Sequence, residues 1–230
     1  MFFADLPEIH RRREVRGHSE IFDKNTRGTR PRYYLQNFHF QSGGWLTEES
    51  AERYDTQVEV LLNGTANAMR RQALPLLHEL FAGRDQRQLR LLDIGCGTGR
   101  FLDFVKQAWP RLQIIGLDMS DAYVRHARRY LRRWSRTRFV VGKAEAIPFP
   151  DSSQDAVRPV TAVFRKTITN RTMQVIQRKI SEHSLWRVAS SMCEASWPSF
   201  LRLWFSQRHK PVRGATISVC RPKKFGSQRS

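Results

Sequence analysis

The segment Leu91-Leu92-Asp93-Ile94-Gly95-Cys96-Gly97-Thr98-Gly99-Arg100 joins an apolar run, a carboxylate and three alternating glycines. Glycines at the carboxyl end of a strand permit a tight turn and let ligand atoms approach the backbone with no Cβ in the way, beside the amino terminus of the next helix. Asp118 follows about twenty residues later, at the end of the next apolar run, where a carboxylate can accept both hydroxyls of a ribose. Together these residues predict a nucleoside pocket. Arg100 stands where the dinucleotide fingerprint G-x-G-x-x-G requires glycine, so a pyrophosphate is less well provided for and a nicotinamide-dependent oxidoreductase is disfavoured.

The elements that would position these groups follow from periodicity. Residues 89–94 form a short apolar run ending in glycines, as a buried parallel strand should, and residues 101–109 carry helical apolar spacing. Residues 112–117 supply a second strand, 122–134 a helix and 138–141 a third strand. The order βαβαβ implies a parallel sheet with right-handed crossovers. Upstream, Thr47-Glu48-Glu49-Ser50 offers a helix start, and helix formers run from Ala51 to Leu62 before Asn63-Gly64 stops them. A second helix is predicted over 65–81, broken or kinked at Pro75 and ended by Gly83. Residues 1–45 are polar and basic, with an aromatic cluster at 33–40, and read as a lead-in segment or lid.

Three blocks resemble the class I S-adenosylmethionine-dependent methyltransferases, in the small-molecule branch near the ubiquinone and menaquinone enzymes. They are Leu91 to Gly99, then Ile115-Gly116-Leu117-Asp118-Met119-Ser120, then Gly142 to Asp151 with Gln154-Asp155-Ala156-Val157. The resemblance covers about residues 50–157 and implies a three-layer Rossmann-like fold with a mainly parallel sheet and a helical amino-terminal cap. It further implies that Gly95, Cys96, Gly97 and Gly99 lie along the methionine part of S-adenosylmethionine, that Asp93 orients the glycine loop, and that Asp118 holds the ribose. Met119 would pack on the adenine, with Ala144 and Glu145 beside it. Lys143 departs from the family's usual Asp or Asn and offers no acceptor to the adenine amino group.

Methyl transfer from a sulfonium is an in-line displacement with an activated donor, so the protein holds two reactants in line and removes a proton where the acceptor requires it. No metal is needed. Candidate bases are His39 in the aromatic cluster, Tyr54 in Arg53-Tyr54-Asp55, and His126, each with a plain structural reading that outweighs the catalytic one; for His126 that is a solvated residue among Arg125, Arg128 and Arg129. Arg70 and Arg71 read as surface charges. The catalytic base, the methyl acceptor and the oligomeric state have no signature in the sequence.

Composition divides the chain. Its 230 residues carry 40 Lys plus Arg against 21 Asp plus Glu, a net +19, and Arg outnumbers Lys 32 to 8. Up to Val157 there are 25 basic and 19 acidic residues; the last 73 residues hold 15 basic and only 2 acidic ones. Three regions result: 1–85 as cap and helices, 86–157 as cofactor-binding core, and 158–230 as a basic tail that does not match the family. Arg158 and Pro159 interrupt the text where a fourth, apolar strand should continue, because proline cannot donate to a sheet ladder. The tail reads as an out-of-frame translation near codon 157, with a basic nucleic-acid-binding extension or a divergent completion of the sheet as alternatives.

The expected function is methyl transfer from S-adenosylmethionine to a small molecule. An inactive or truncated methyltransferase-like protein and an RNA or protein methyltransferase are the alternatives; a nucleic-acid partner rests on the charge and the arginines of 128–133. Cys96, Cys193 and Cys220, odd in number and widely spaced, suggest neither disulfides nor zinc, and with no apolar stretch of membrane-spanning length the chain reads as cytoplasmic.

Overall fold

The computed structural model describes residues 2–17, 21, 28, 30–31, 34–37, 40–159, 175–176 and 178–179. A 3-10 turn, Phe2–Asp5, leads into α1, Leu6–Glu14, an element that the sequence reading left inside the lead-in segment. Its Arg12 turns inward and donates to the Phe40 carbonyl at 3.1 Å and to Ser42 Oγ at 2.9 Å, while Asp5 accepts the Ser42 amide at 3.0 Å. Long-range polar contacts of this kind leave little periodic signal.

Helix α2 spans Glu48–Leu61 and is capped by Thr47, whose side chain accepts from the Ser50 amide. The 65–81 segment divides into α3, Ala66–Arg71, and α4, Ala73–Phe81, with the break at Gln72 rather than at Pro75. The proline ring excludes the carbonyl four residues back, which belongs to Arg71, so Pro75 itself sits in the first turn of α4, where no amide is required.

Then come β1, Arg90–Ile94; α5, Arg100–Ala108; β2, Gln113–Asp118; α6, Asp121–Tyr130; β3, Thr137–Val141; and β4, Ala156–Pro159. The four strands form a parallel sheet in the order β3-β2-β1-β4. Successive side chains point to opposite faces. Leu91, Ile114 and Ala156 pack with Leu77 and Phe81 of α4, Leu102 and Val105 of α5, and Val124 and Ala127 of α6. Leu92, Ile94, Ile115 and Leu117 pack on the other face with Ile147 and Ile176. Burial on both faces explains why the strands read as continuous apolar runs rather than alternating ones.

Two expectations about the carboxyl-terminal text are corrected here. First, β4 includes both Arg158 and Pro159, paired with Asp93 and Ile94 of β1. The arginine is tolerated because Asp93 neutralises it, and the proline falls at the last strand residue. Second, the boundary at Val157 does not end the packed unit. Ile176 is 1% exposed, and the carbonyls of Arg178 and Lys179 accept from the amides of Ser152 and Gln154 at 2.7 and 2.9 Å. The remaining calls on the tail, from 160 to 174 and from 180 to 230, lie outside the described residues.

Gly99 ends the loop before α5 with φ +81°, and a Cβ there would stand 2.5 Å from Leu131 Cδ1 and 3.3 Å from Ala127 Cβ. Gly99→Ala should therefore lower stability by about 2–4 kcal/mol, combining overpacking with left-handed backbone strain. Denaturant unfolding of the two proteins measures this directly.

Candidate functional site

The carboxyl ends of β1, β2 and β4 converge on the glycine loop. The amides of Gly95 and Cys96 donate to the Leu117 carbonyl at 2.7 and 3.0 Å, and the Gly97 amide donates to Asp118 Oδ2 at 2.8 Å. Asp118 Oδ1 accepts the Ser120 amide at 2.9 Å. The loop is thus held by β2, and Asp118 secures it while presenting a carboxylate at the strand end. Burial raises the Asp118 pKa, opposed by the amides of Ser120, Gly97 and Met119 and by the Tyr34 phenol.

Asp93 Oδ1 accepts from Arg158 Nη1 at 2.9 Å, and Oδ2 is buried without a hydrogen-bond partner among the described residues. Burial pushes its carboxyl up to about 6, Arg158 acts in the opposite sense, and Asp118 adds to the rise. Gly95 is exposed and Gly97 half-buried, with Tyr54 Cε1 4.0 Å from where a Gly97 Cβ would stand, whereas Gly99 is buried against α6. Cys96 is buried beneath Gly116, and burial pushes its thiol well up. Met119 is half-buried against Tyr34, Trp45 and Tyr123. Ala144 packs on the second core, Glu145 is exposed, and the Lys143 carbonyl accepts from the Ala146 amide at 3.1 Å.

Of the candidate bases, His39 lies outside the described residues. Tyr54 packs edge-on against Tyr123, at 5.3 Å between ring centroids, and burial pushes its phenol to about 12, which leaves almost no phenolate near neutral pH. His126 is half-buried on α6 beside Tyr130, its pKa lowered chiefly by burial.

Asp55 is the group that the sequence reading missed. On α2 beside Tyr54, it accepts from Thr98 Oγ1 of the glycine loop at 2.9 Å and from Arg70 at 3.2 Å, with Arg100 Nε at 3.5 Å. Arg70 is correspondingly 15% exposed and also faces Glu59, which corrects its reading as a surface charge. Thr98 and Asp55 are 43 positions apart, and no short-range spacing announces such a contact.

Known proteins share parts of this arrangement. Residues 91–183 match the family described as "Methyltransferase domain". Over these residues the chain is similar to that family. The match runs from β1 past Val157 to residue 183, so the family's text extends beyond the boundary drawn from composition. The chain is 29% identical over 141 residues to a demethylmenaquinone methyltransferase of Thermotoga maritima, which covers 58% of this chain and 56% of the relative. It is 34% identical over 67 residues to a malonyl-[acyl-carrier protein] O-methyltransferase of Xylella fastidiosa, 29% of this chain and 23% of the relative. The chain thus spans about half or less of the length of these relatives. Among solved structures, the PH0226 protein of Pyrococcus horikoshii is similar at 25% identity and TM-score 0.41, over 49% of this chain and 51% of that one.

Within the sheet, the Asp93 carboxyl carries a testable pH signature. Its folded pKa of about 6 exceeds the ordinary 3.8, so the folded protein retains a proton that the unfolded chain releases. The associated stability is fully present below about pH 4 and is lost as pH rises through 6. Relative to Asp93→Asn, the wild type should lose on the order of 3 kcal/mol between pH 4 and pH 7, read from denaturant unfolding across that range.

Proposed function

We propose that the chain is an S-adenosylmethionine-dependent methyltransferase acting on a small molecule. The observation that carries this reading is the methyltransferase-domain match over a segment in which Asp118, at the end of β2, clasps a glycine loop that leaves Gly95 and Gly97 open. The residues suit the cofactor: Gly97, at φ +56°, forms a cradle that a Cβ would fill, and a carboxylate at the strand end matches a ribose diol. A carboxylate has about four lone-pair positions, and the two bonds within 3.0 Å come from Gly97 and Ser120. A diol would take the side now faced by the Tyr34 phenol.

When bound, the cofactor supplies an activated methyl group for in-line displacement. The chain's own residues then bind and orient. Asp118 fixes the nucleoside, Met119 and Ala144 offer apolar walls, Glu145 stands ready to accept from the adenine amino group in place of the acceptor that Lys143 lacks, and the loop amides set the depth of the pocket. Tyr54 forms a wall beside Gly97 rather than a base, and Tyr34 and Trp45 pack against Met119 at the end of β2.

Support for a small acceptor comes from relatives named for a demethylated menaquinone and an acyl-carrier-bound malonyl group. On the basic face weighed for an RNA partner, four arginines have acceptors within the chain. Arg125 and Arg129 donate to Glu48, each at 2.6 Å, Arg133 to Asp103 at 2.7 Å and Arg128 to the Phe139 carbonyl at 2.7 Å. Among the described residues no helix is long and apolar enough to cross a membrane. A cytoplasmic location is part of this reading, supported by the unpaired spacing of the cysteines.

Isothermal calorimetry with the full chain tests it. S-adenosylmethionine should bind in the micromolar range, and Asp118→Ala should weaken binding by at least about tenfold through loss of a charge-assisted hydrogen bond and of the Gly97 anchor. Binding undiminished in the variant would overturn the assignment of Asp118.

A further inference from the structure

The glycine loop is anchored on two sides by unlike means. Gly95, Gly97 and Gly99 take φ values of +73°, +56° and +81°, so three of five consecutive residues are of the type with the most backbone freedom to lose. On the β2 side the loop is held by backbone amides, those of Gly95 and Cys96 on the Leu117 carbonyl and that of Gly97 on Asp118. On the α2 side it is held by a side chain. Thr98, 2% exposed, donates its hydroxyl to Asp55 Oδ2 at 2.9 Å.

Asp55 is itself fixed in place. Its other oxygen, Oδ1, accepts from Arg70 Nη2 at 3.2 Å, and Arg70 is steered there by Asn67 Oδ1, which accepts from Nη1 at 2.9 Å, and by Glu59 at 3.8 Å. Glu59 in turn accepts the amides of Ala66 and Asn67 at 3.1 and 2.9 Å, so the corner between α2 and α3 orients the acceptor for Thr98. The neighbouring Tyr54 is the residue whose ring lies beside Gly97. Two consecutive residues of α2 thus meet two consecutive residues of the loop.

We propose that Asp55 is a positioning residue of the candidate nucleoside site: by accepting the Thr98 hydroxyl it holds the glycine loop in the conformation that receives the ligand, without touching the ligand itself. This rests on the reading of the site as an S-adenosylmethionine site. A loop ordered in advance loses no further entropy when the ligand arrives, whereas a glycine-rich loop released on one side must be ordered at that moment and the affinity falls. The carboxylate acceptor makes the Thr98 bond charge-assisted, and so stronger than one between neutral groups.

Calorimetry with S-adenosylmethionine on the full chain tests this as a double-mutant cycle of Asp55→Ala and Thr98→Val. Thr98→Val keeps the shape of threonine without its hydroxyl, and in Asp55→Ala the Arg70 guanidinium keeps Asn67 and Glu59 as partners. Each single variant should weaken binding about five- to tenfold, and the double variant should bind no more weakly than either. Thr98→Ser, which restores the hydroxyl, should recover most of the affinity lost in Thr98→Val. A merely structural bond lowers the denaturant midpoint and leaves the dissociation constant of the folded protein unmoved, so both quantities are measured for every variant. If Asp55→Ala does not fold, Asp55→Asn takes its place in the cycle; it makes the bond a neutral one and should weaken binding about two- to threefold, an effect absent from the Thr98→Val background. Unchanged affinity in the Asp55 variant, or losses that add in the double variant, overturn the proposal and leave the site reading to the Asp118→Ala result. Failure of the wild type to bind S-adenosylmethionine overturns the cofactor reading itself, and the proposal with it.

Discussion

The Asp118 carboxylate holds the glycine loop and the start of α6 together. One oxygen takes the amide of Gly97 and the other that of Ser120, so a single side chain fixes the crest of the glycine loop and the start of α6 at once. Ser120 in turn caps α6 by accepting the Tyr123 amide and donates to the Trp45 carbonyl, which ties in the segment before α2. Loop, helix and lead-in segment therefore meet at one charged group. Its backbone donors are provided by the fold and need no reorganisation when a ligand arrives, which is the economical way to present a carboxylate in a desolvated crevice.

Close approach around that group explains the small residues. Gly116, in the middle of β2, lies under Cys96 Sγ and the Phe139 ring, where a Cβ would come within 2.9 and 2.6 Å. The glycine loop can lie back over β2 and reach the Leu117 carbonyl only because that surface carries no side chain. The two outermost helices obey the same economy. Asp103, in the first turn of α5, accepts from Arg133, Trp134 and Gln107, each at 2.7 or 2.8 Å, and so binds α6's exit to α5 with charge-assisted bonds favourable at a helix amino terminus.

What was legible in the sequence is what depends on local pattern. The strands β1, β2 and β3, the glycine turn, the Thr47 cap and the position of Asp118 all follow from periodicity or from residue types with a single good use. What was illegible depends on long-range charge pairing. Arg12, Arg70, Arg133 and Arg158 each look like surface charge in the sequence, yet each finds an acceptor 30 or more positions away, apart from Arg70, whose partner Asp55 is 15 away. Arg158 was the most misleading, since a charge beside a proline argues against a strand unless a buried carboxylate waits opposite. The same pairing shows why a net +19 is a poor guide to partners. Among the described residues, arginines pair with Glu48, Asp55, Asp93, Asp103 and Asp155, whereas most of the net excess lies in the last 73 residues.

The topology also dictates which residues can matter to a ligand. In a sheet that winds both ways from β1, the helices α4, α5 and α6 are committed to one face and to burial, so side chains free to meet a ligand come from strand ends and from the segments that follow them. Among the described residues, charged side chains at the strand ends and on the loop after β3 include Asp93, Asp118, Arg158, Glu145 and Lys143. Walls can change with the covering segments near Tyr34 and Trp45, but the pairing of Asp93 with Arg158 is set by two facing positions in a strand register. Because register shifts would move every side chain of β4 to the opposite face, that pairing is as firmly specified as the core itself.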